Sequence, residues 1–342
     1  MPRPCGEGQP GRRAAPLATR CPRPQLRLHS ADRINRFARI RTVNSTRHRR
    51  PSLLLSLSAL LVLSVVAVPF ASAQQVGPAN GSLIVAGGAL SDPAVFARFV
   101  ELAGGPSAPI VVIPTAGGGD SYDQYFRGRR PFEAAGATDI TILHTYDPAE
   151  ADTDAFVEPL LDARGVWFTG GRQWRLADSY LGTKVHDALW DVLDRGGVIG
   201  GSSAGASIQG SYLVRGDTRT NTIMMGDHEE GLGFLKGVGI DQHLLMRNRQ
   251  FDLIGVIRAK PELLGIGIDE NTAIVVQGDR FEVVGQSYAV IYDANATLDS
   301  GGLFYFLAPG DRYDMAARQA FRPSRGESAM QRVTGTPWPP GR

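Results

Sequence analysis

The sequence predicts an α/β protein: a mostly parallel sheet with helices on both faces, and antiparallel hairpins near its C-terminal edge. Three observations carry this. Short Val- and Ile-rich runs alternate with amphipathic stretches from residue 83 to residue 199. Several of these runs end in glycine pairs, where a buried strand turns toward a helix. After residue 265 the pattern changes to closely spaced short strands broken by turn signals.

The elements follow in order. Leu83-Ile84-Val85-Ala86 is a buried strand ending at Gly87-Gly88. Ser91 or Asp92 then caps a helix with Pro93 in its first turn, and Val95, Phe96, Phe99, Val100 and Leu102 form its apolar stripe. Ile110–Ile113 is a second strand, followed by a loop over 115–120 and a helix near Tyr122–Ala135. Ile140–Leu143 and Val166–Thr169 are the third and fourth strands, the latter running into Gly170-Gly171. Lys184–Arg195 is amphipathic, and Val198-Ile199 is the fifth strand. Ile266–Ile268, Thr272–Gln277, Arg280–Val284 and Tyr288–Tyr292 read as antiparallel hairpins against one sheet edge.

Composition bounds the function. With 342 residues, 43% hydrophobic and 20% charged, the chain is not wholly disordered. Residues 1–50 hold 13 Arg against Glu7 and Asp32, whereas residues from 74 onward hold 23 basic and 32 acidic side chains. An acidic body argues against nucleic acid as a partner. Both cysteines, Cys5 and Cys21, precede that body, which excludes a cysteine nucleophile or zinc–thiolate site from it. No cofactor loop is recognisable either: Gly87-Gly88 and 117–119 lack the spacing of a nucleotide-binding turn.

The N-terminal region reads as an address. Arg47-His48-Arg49-Arg50, an apolar run over 53–70 and Ala71-Ser72-Ala73 form the three parts of a secretory signal over 47–73, cut after Ala73. The expectation is a secreted protein, periplasmic or extracellular, touching a membrane only through this segment if it stays uncleaved. Residues 1–46 are Arg- and Pro-rich and read as a basic disordered extension or an upstream start-codon assignment. The expected domain covers 80–310, and 322–342 reads as a flexible tail.

The strongest chemical signal is Gly201-Ser202-Ser203-Ala204-Gly205, between a buried strand and a small-residue segment. A G-x-S-x-G in that context makes a tight turn that exposes the central hydroxyl, here Ser203, and aims the next amide, Ala204, at a developing oxyanion. A plain glycine-rich turn is the alternative. The body offers four histidines as a base: His144, His186, His228 and His243. His186 fits a helix surface, His144 ends a strand, and His228 lies in an acidic turn without a second metal-binding cluster. His243, among polar residues in an apolar segment, is the better site candidate. Arg247 and Arg249 share a face if the segment is extended, and two guanidinium groups there grip a carboxylate. Gly171 belongs at the same strand-end rim as Ser203 and offers a second amide to the oxyanion, with Gln173 as a substrate contact.

These features together resemble the cyanophycinase and aspartyl dipeptidase (peptidase E) family, serine peptidases with a class I glutamine amidotransferase-like fold. Four motifs in the family's order carry the likeness: 168–173, 201–206, Asp241-Gln242-His243 with Arg247 and Arg249, and 267–273. The resemblance implies Ser203 as nucleophile, His243 as general base and Gln173, Asp241, Gln242, Arg247 and Arg249 as the substrate pocket. It implies a β-aspartyl or cyanophycin-like peptide substrate, an acyl-enzyme, and homodimers as in many relatives. Ser202, Arg172 and Leu244 depart from the residues usual in the family. The third triad member is expected between nucleophile and histidine, where Asp217, Asp227, Glu229 and Glu230 all compete. Asp269 and Glu270 are expected to shape the pocket rim. Other readings stay open at this point: an esterase-like hydrolase on the same fold, or a non-catalytic binding protein.

Overall fold

The computed structural model describes residues 75–295 and 303–323. The signal segment, the basic extension and nearly all of the tail therefore lie outside the described residues. No described helix is long and apolar enough to cross a membrane.

Five parallel strands form the centre: β1 (Ser82–Ala86), β2 (Ile110–Ile113), β3 (Ile140–Ile142), β4 (Gly165–Phe168) and β5 (Val198–Ser202). Their spatial order is β1-β5-β4-β2-β3. Ala86 lies opposite Ser202, and Phe168 opposite Gly201, so β1, β4 and β5 finish level with one another. Helices α1 (Pro93–Ala103), α2 (Arg130–Ala134), α3 (Pro148–Ala151), α4 (Asp154–Leu161), α5 (Gln173–Tyr180) and α6 (Lys184–Asp194) connect or cover them. Asp92 caps α1, accepting from the Ala94 amide at 2.9 Å, and Gly104 ends it at φ 110°.

Both faces of this block are dry. On one, Phe96 and Phe99 of α1 meet Phe132 of α2 and Trp167 of β4 with ring centroids 5.2 to 5.5 Å apart. On the other, Leu83, Val85, Val166 and Phe168 pack against Leu176, Tyr180, Val185 and Leu189 of α5 and α6. Each such aliphatic or aromatic side chain contributes about 1.5–3 kcal/mol by burial.

Two expectations need correction. The helix near Tyr122–Ala135 is shorter: a 3₁₀ turn at Arg127–Arg129 leads into α2. Gln124, ahead of it, uses its side-chain amide on both backbone groups of Ile142, at 3.0 and 2.8 Å, and so covers the edge of β3. The second correction is larger. The C-terminal strands do not all join one edge. After β5 come the short helix α7 (Ala204–Ser207), β6 (Gly210–Tyr212), β7 (Leu235–Gln242), α8 (Asp252–Ala259), β8 (Leu264–Ile268), β9 (Thr272–Gln277), β10 (Arg280–Gly285), β11 (Ala289–Asp293), β12 (Tyr305–Leu307), β13 (Arg312–Asp314) and β14 (Gln319–Phe321). β9, β10, β13 and β14 extend the first sheet antiparallel from β1, as expected of hairpins. The others form a second, five-stranded sheet in the order β12-β11-β8-β7-β6, and β7 and β8 run parallel in it.

The reason is two-sided burial. Along β11, Ala289 and Ile291 face the core shared with the first sheet, while Val290 and Tyr292 pack under Leu253, Val256 and Ile257 of α8. A strand buried on both faces carries no polar alternation to mark which sheet it joins.

Candidate active site

Ser203 sits directly after β5, with φ 57° and ψ −113°. This is a strained conformation for a residue with a side chain, costing about 1–3 kcal/mol. The strand-to-helix turn enforces it: the Ser203 amide donates to the Ala86 carbonyl at 3.0 Å, and its carbonyl accepts from Ala206 and Ser207. A methyl group on Gly201 would lie 2.2 Å from the Gly205 carbonyl oxygen, which is why the elbow needs a glycine there. Ala204 begins α7, so its amide has no acceptor within the helix.

Gly170 and Gly171, after β4, pass alongside. A methyl on Gly170 would stand 3.3 Å from Ser203 Cβ. Gly171 has φ 148°, and a methyl there would lie 1.9 Å from the Ala116 carbonyl oxygen. Of this glycine pair, Gly170 lies beside Ser203 and Gly171 packs on the backbone of Ala116.

His243 reaches Ser203 from the second sheet. It follows the last residue of β7, and its own φ is 54°. Its amide donates to the Gly87 carbonyl at 2.8 Å. Gly88 lies flat against the imidazole: a methyl on it would lie 2.3 Å from Cε1 and 2.5 Å from Nε2. Nε2 is 2.8 Å from Ser203 Oγ, and Nδ1 is 2.5 Å from Glu270 Oε1. Burial drives the His243 pKa below the usual imidazole range. Glu270 opposes that shift, and Arg247 and Arg249 reinforce it. The shift favours the neutral imidazole, and both ring nitrogens have partners, the hydroxyl at Nε2 and the carboxylate at Nδ1.

Glu270 is a correction to the expected acid. None of the four candidates contacts His243. Asp217 accepts from Arg219 and the Thr220 amide. Asp227 holds Thr218 and His228, and Glu229 meets Tyr212 and Lys260. Glu230 bridges to Tyr212 through its backbone. The side chain on Nδ1 comes after the histidine in the chain, on the crossing from β8 in one sheet to β9 in the other. Its neighbours fix that crossing. Asp269 accepts from the amides of Leu245 and Met246 at 2.9 and 3.0 Å, pinning the turn after His243. Asn271, at φ 54°, accepts from the amides of Ser91 and Asp92. The only advance signal was the motif over 267–273.

The expected substrate contacts divide. Residues 244–248 form a turn, with the Arg247 amide on the His243 carbonyl, so Arg247 and Arg249 do not share an extended face. Arg247 has a half-exposed side chain, its Nε 4.0 Å from Glu270 Oε1. Arg249 is buried and donates to the Gln242 carbonyl and side-chain oxygens, both at 3.1 Å. Gln242 is thereby turned inward. Gln173 is buried and donates to the Val214 carbonyl at 2.7 Å. Asp241 is fully buried, with both carboxylate oxygens on Arg215 at 2.7 and 2.9 Å. Of the five, Arg247 is the one that presents its charge to solvent beside the histidine.

The remaining histidines lie elsewhere. His144 Nδ1 meets Thr115 Oγ1 at 2.8 Å, and His186 Nε2 meets the Leu232 carbonyl at 2.9 Å. His228 bridges Asp178 and Asp227. Among the described residues, no group of three or more His, Cys, Asp or Glu side chains is arranged to hold a metal ion.

Two sheets whose strand ends bring together a strained serine, an imidazole and a carboxylate define a candidate serine hydrolase. Comparison with known proteins agrees and is more specific. The profile of peptidase family S51 matches residues 83–284. The cyanophycinase of Geminocystis herdmanii is 32% identical over 229 residues, covering 64% of this chain and 82% of that protein. The cyanophycinase of Nostoc sp. is 31% identical over 245 residues, covering 66% and 81%. The crystal structure of a peptidase from an acI-B1 Actinobacterium shares the fold, with a TM-score of 0.53 at 24% identity over 70% of this chain and 97% of that one. The chain belongs to peptidase family S51 and is a serine-type peptidase.

Proposed function

We propose that this peptidase hydrolyses aspartyl bonds, and β-aspartyl isopeptide bonds in particular, through an acyl-enzyme on Ser203. The observation that carries this is the continuous line from Ser203 Oγ through His243 to Glu270, with contacts of 2.8 and 2.5 Å. In this reading Ser203 Oγ attacks the carbonyl while His243 Nε2 takes its proton. The Ala204 and Gly171 amides receive the oxyanion. The C–N bond then breaks, and His243 returns the proton to the leaving amine. A water gives a proton to His243 and attacks the ester; the C–O bond breaks and His243 returns that proton to Ser203 Oγ. Glu270 holds the imidazole tautomer throughout.

Arg247 supplies a carboxylate contact, and the cyanophycinase relatives point to the isopeptide linkage. When aspartate is linked through its side chain, its α-carboxylate stays free and negatively charged. A half-exposed guanidinium beside the base suits that carboxylate. The cyanophycinase relatives support a polymer or dipeptide of this class. The signal-like segment over 47–73 supports action outside the cytoplasm.

Product analysis on β-Asp-Arg, α-aspartyl dipeptides and cyanophycin tests the substrate. Ser203→Ala is expected to lower turnover by about 10⁴-fold or more. Full β-Asp-Arg hydrolysis by that variant would refute the mechanism. Cleavage of α-linked dipeptides alone would refute the isopeptide preference.

A further inference from the structure

Nothing in the reaction described above uses Arg215. It is nevertheless a fully buried arginine, 2% exposed, held at φ 59° in a conformation that side chains seldom adopt. Its guanidinium makes four hydrogen bonds. Nε and Nη2 clasp the two oxygens of Asp241, Nη2 also meets Asp252 at 2.6 Å, and Nη1 donates to the Asn221 carbonyl at 2.9 Å. Burial opposes its charge, but the two carboxylates outweigh burial and raise its pKa further.

The placement is what matters. Asp241 lies two residues before His243, and its Oδ1 also accepts from the Gln242 amide at 2.8 Å. The last peptide of β7 is thus tied to Arg215 before the chain turns to present the imidazole. The flanking residues of Arg215 hold the opposite side of the site. The Val214 carbonyl accepts from Gln173 at 2.7 Å, and the Asp217 carbonyl from Arg172 at 2.5 Å. Arg172 and Gln173 directly follow the Gly170-Gly171 turn beside Ser203. Residues 214–217 therefore grip the nucleophile side through their carbonyls and the base side through one guanidinium.

We infer that residues 214–217 form a strap across the site, with Arg215 as a positioning residue that sets the Ser203–His243 distance through Asp241. The inference rests on the reading of Ser203 and His243 as nucleophile and base. Two physical points support it. A planar fork fixes both oxygens of a carboxylate at once, which an ammonium on a flexible stem does not. A buried ion pair is costly to assemble and is weak evidence for stability alone, so one placed beside a reacting group calls for a positional role.

The test uses Arg215→Lys, Arg215→Met and Asp241→Asn in the full chain, with folding verified by circular dichroism. Two readouts are taken. The first is kcat and KM on β-Asp-Arg, per folded molecule. The second is the low-field proton resonance of His243 Nδ1–H, recognised by its loss in His243→Ala. Expected are a kcat lower by about 10²-fold with little change in KM, and a shifted or lost resonance, in all three. Guanidinium ion, added well below the unfolding transition, should restore part of kcat to Arg215→Met. Wild-type kcat per folded molecule with an unmoved resonance would overturn the inference and assign Arg215 to stability alone. If Arg215→Met does not fold, Asp241→Asn, which keeps the shape of its side chain, decides on the same two readouts. A resonance absent from the wild type, or an active Ser203→Ala, would instead bring down the reading of the site itself.

Discussion

The nucleophile and its base are placed by different means. Ser203 is placed chiefly by its own segment, a buried strand, a four-residue helix and glycines on either side, with one backbone hydrogen bond from farther off, to the Ala86 carbonyl. His243 is held by partners distant in the chain. Gly87 and Gly88 come from the turn after β1, Glu270 and Asp269 from the β8–β9 crossing, and Arg215 acts through Asp241. The serine half is a local motif on the parallel sheet. The histidine half is assembled where two sheets meet. Changes to the first should remove a reacting atom, and changes to the second should misplace one.

The largest effect on the histidine half is expected from Glu270→Gln. The amide cannot stabilise an imidazolium, and its NH₂ group faces an Nδ1 that needs an acceptor. A fall in kcat of about 10⁴-fold follows by analogy with the aspartate of serine-protease triads. Steady-state kinetics on β-Asp-Arg measures it. A loss under tenfold would mean that Glu270 is a rim residue after all.

Gly88→Ala comes next. A methyl there collides with the imidazole at 2.3 Å, and φ 119° is strained for alanine. The ring must move off Ser203, so kcat should fall by about 10²-fold while the parallel block stays folded. A thermal melt beside the kinetics separates the two. Asp269→Asn is milder: an amide oxygen still accepts from Leu245 and Met246, and the charge-assisted part of those bonds is lost. Stability should drop by about 1 kcal/mol in a denaturant titration, with kcat reduced less than in Gly88→Ala.

The same division governs what the sequence disclosed. The parallel strands were legible because each is an apolar run closed by a local turn. Ser203 was legible because strand, glycines and small-residue helix are contiguous. His243 was found by its polar surroundings and by resemblance. Glu270 was missed because an acid on the far side of the histidine in sequence comes near it only through a second sheet. That sheet left no polar alternation in β8 or β11 to reveal it. Asp241 was assigned to the pocket by resemblance, and Gln173 by resemblance and its place after Gly170-Gly171; neither signal discloses that their side chains turn to a buried Arg215 and to a backbone carbonyl.

The smallest effects are shifts in the pH profile, and they separate the two halves without removing any reacting atom. His243 must be neutral to accept the serine proton. Its pKa lies below the usual value of about 6.5, chiefly because the ring is buried, so kcat/KM should hold through neutrality and fall only as pH drops below that value. Arg247 helps to lower this pKa and Glu270 helps to raise it. Arg247→Gln should therefore move the acid limb to higher pH, and Glu270→Gln should move it lower, each on top of its loss in rate. Changes confined to the serine half should leave the limb in place. Profiles of kcat/KM between about pH 4 and 8 read the direction directly. Shifts of the same sign in Arg247→Gln and Glu270→Gln would show that the limb belongs to a group other than His243.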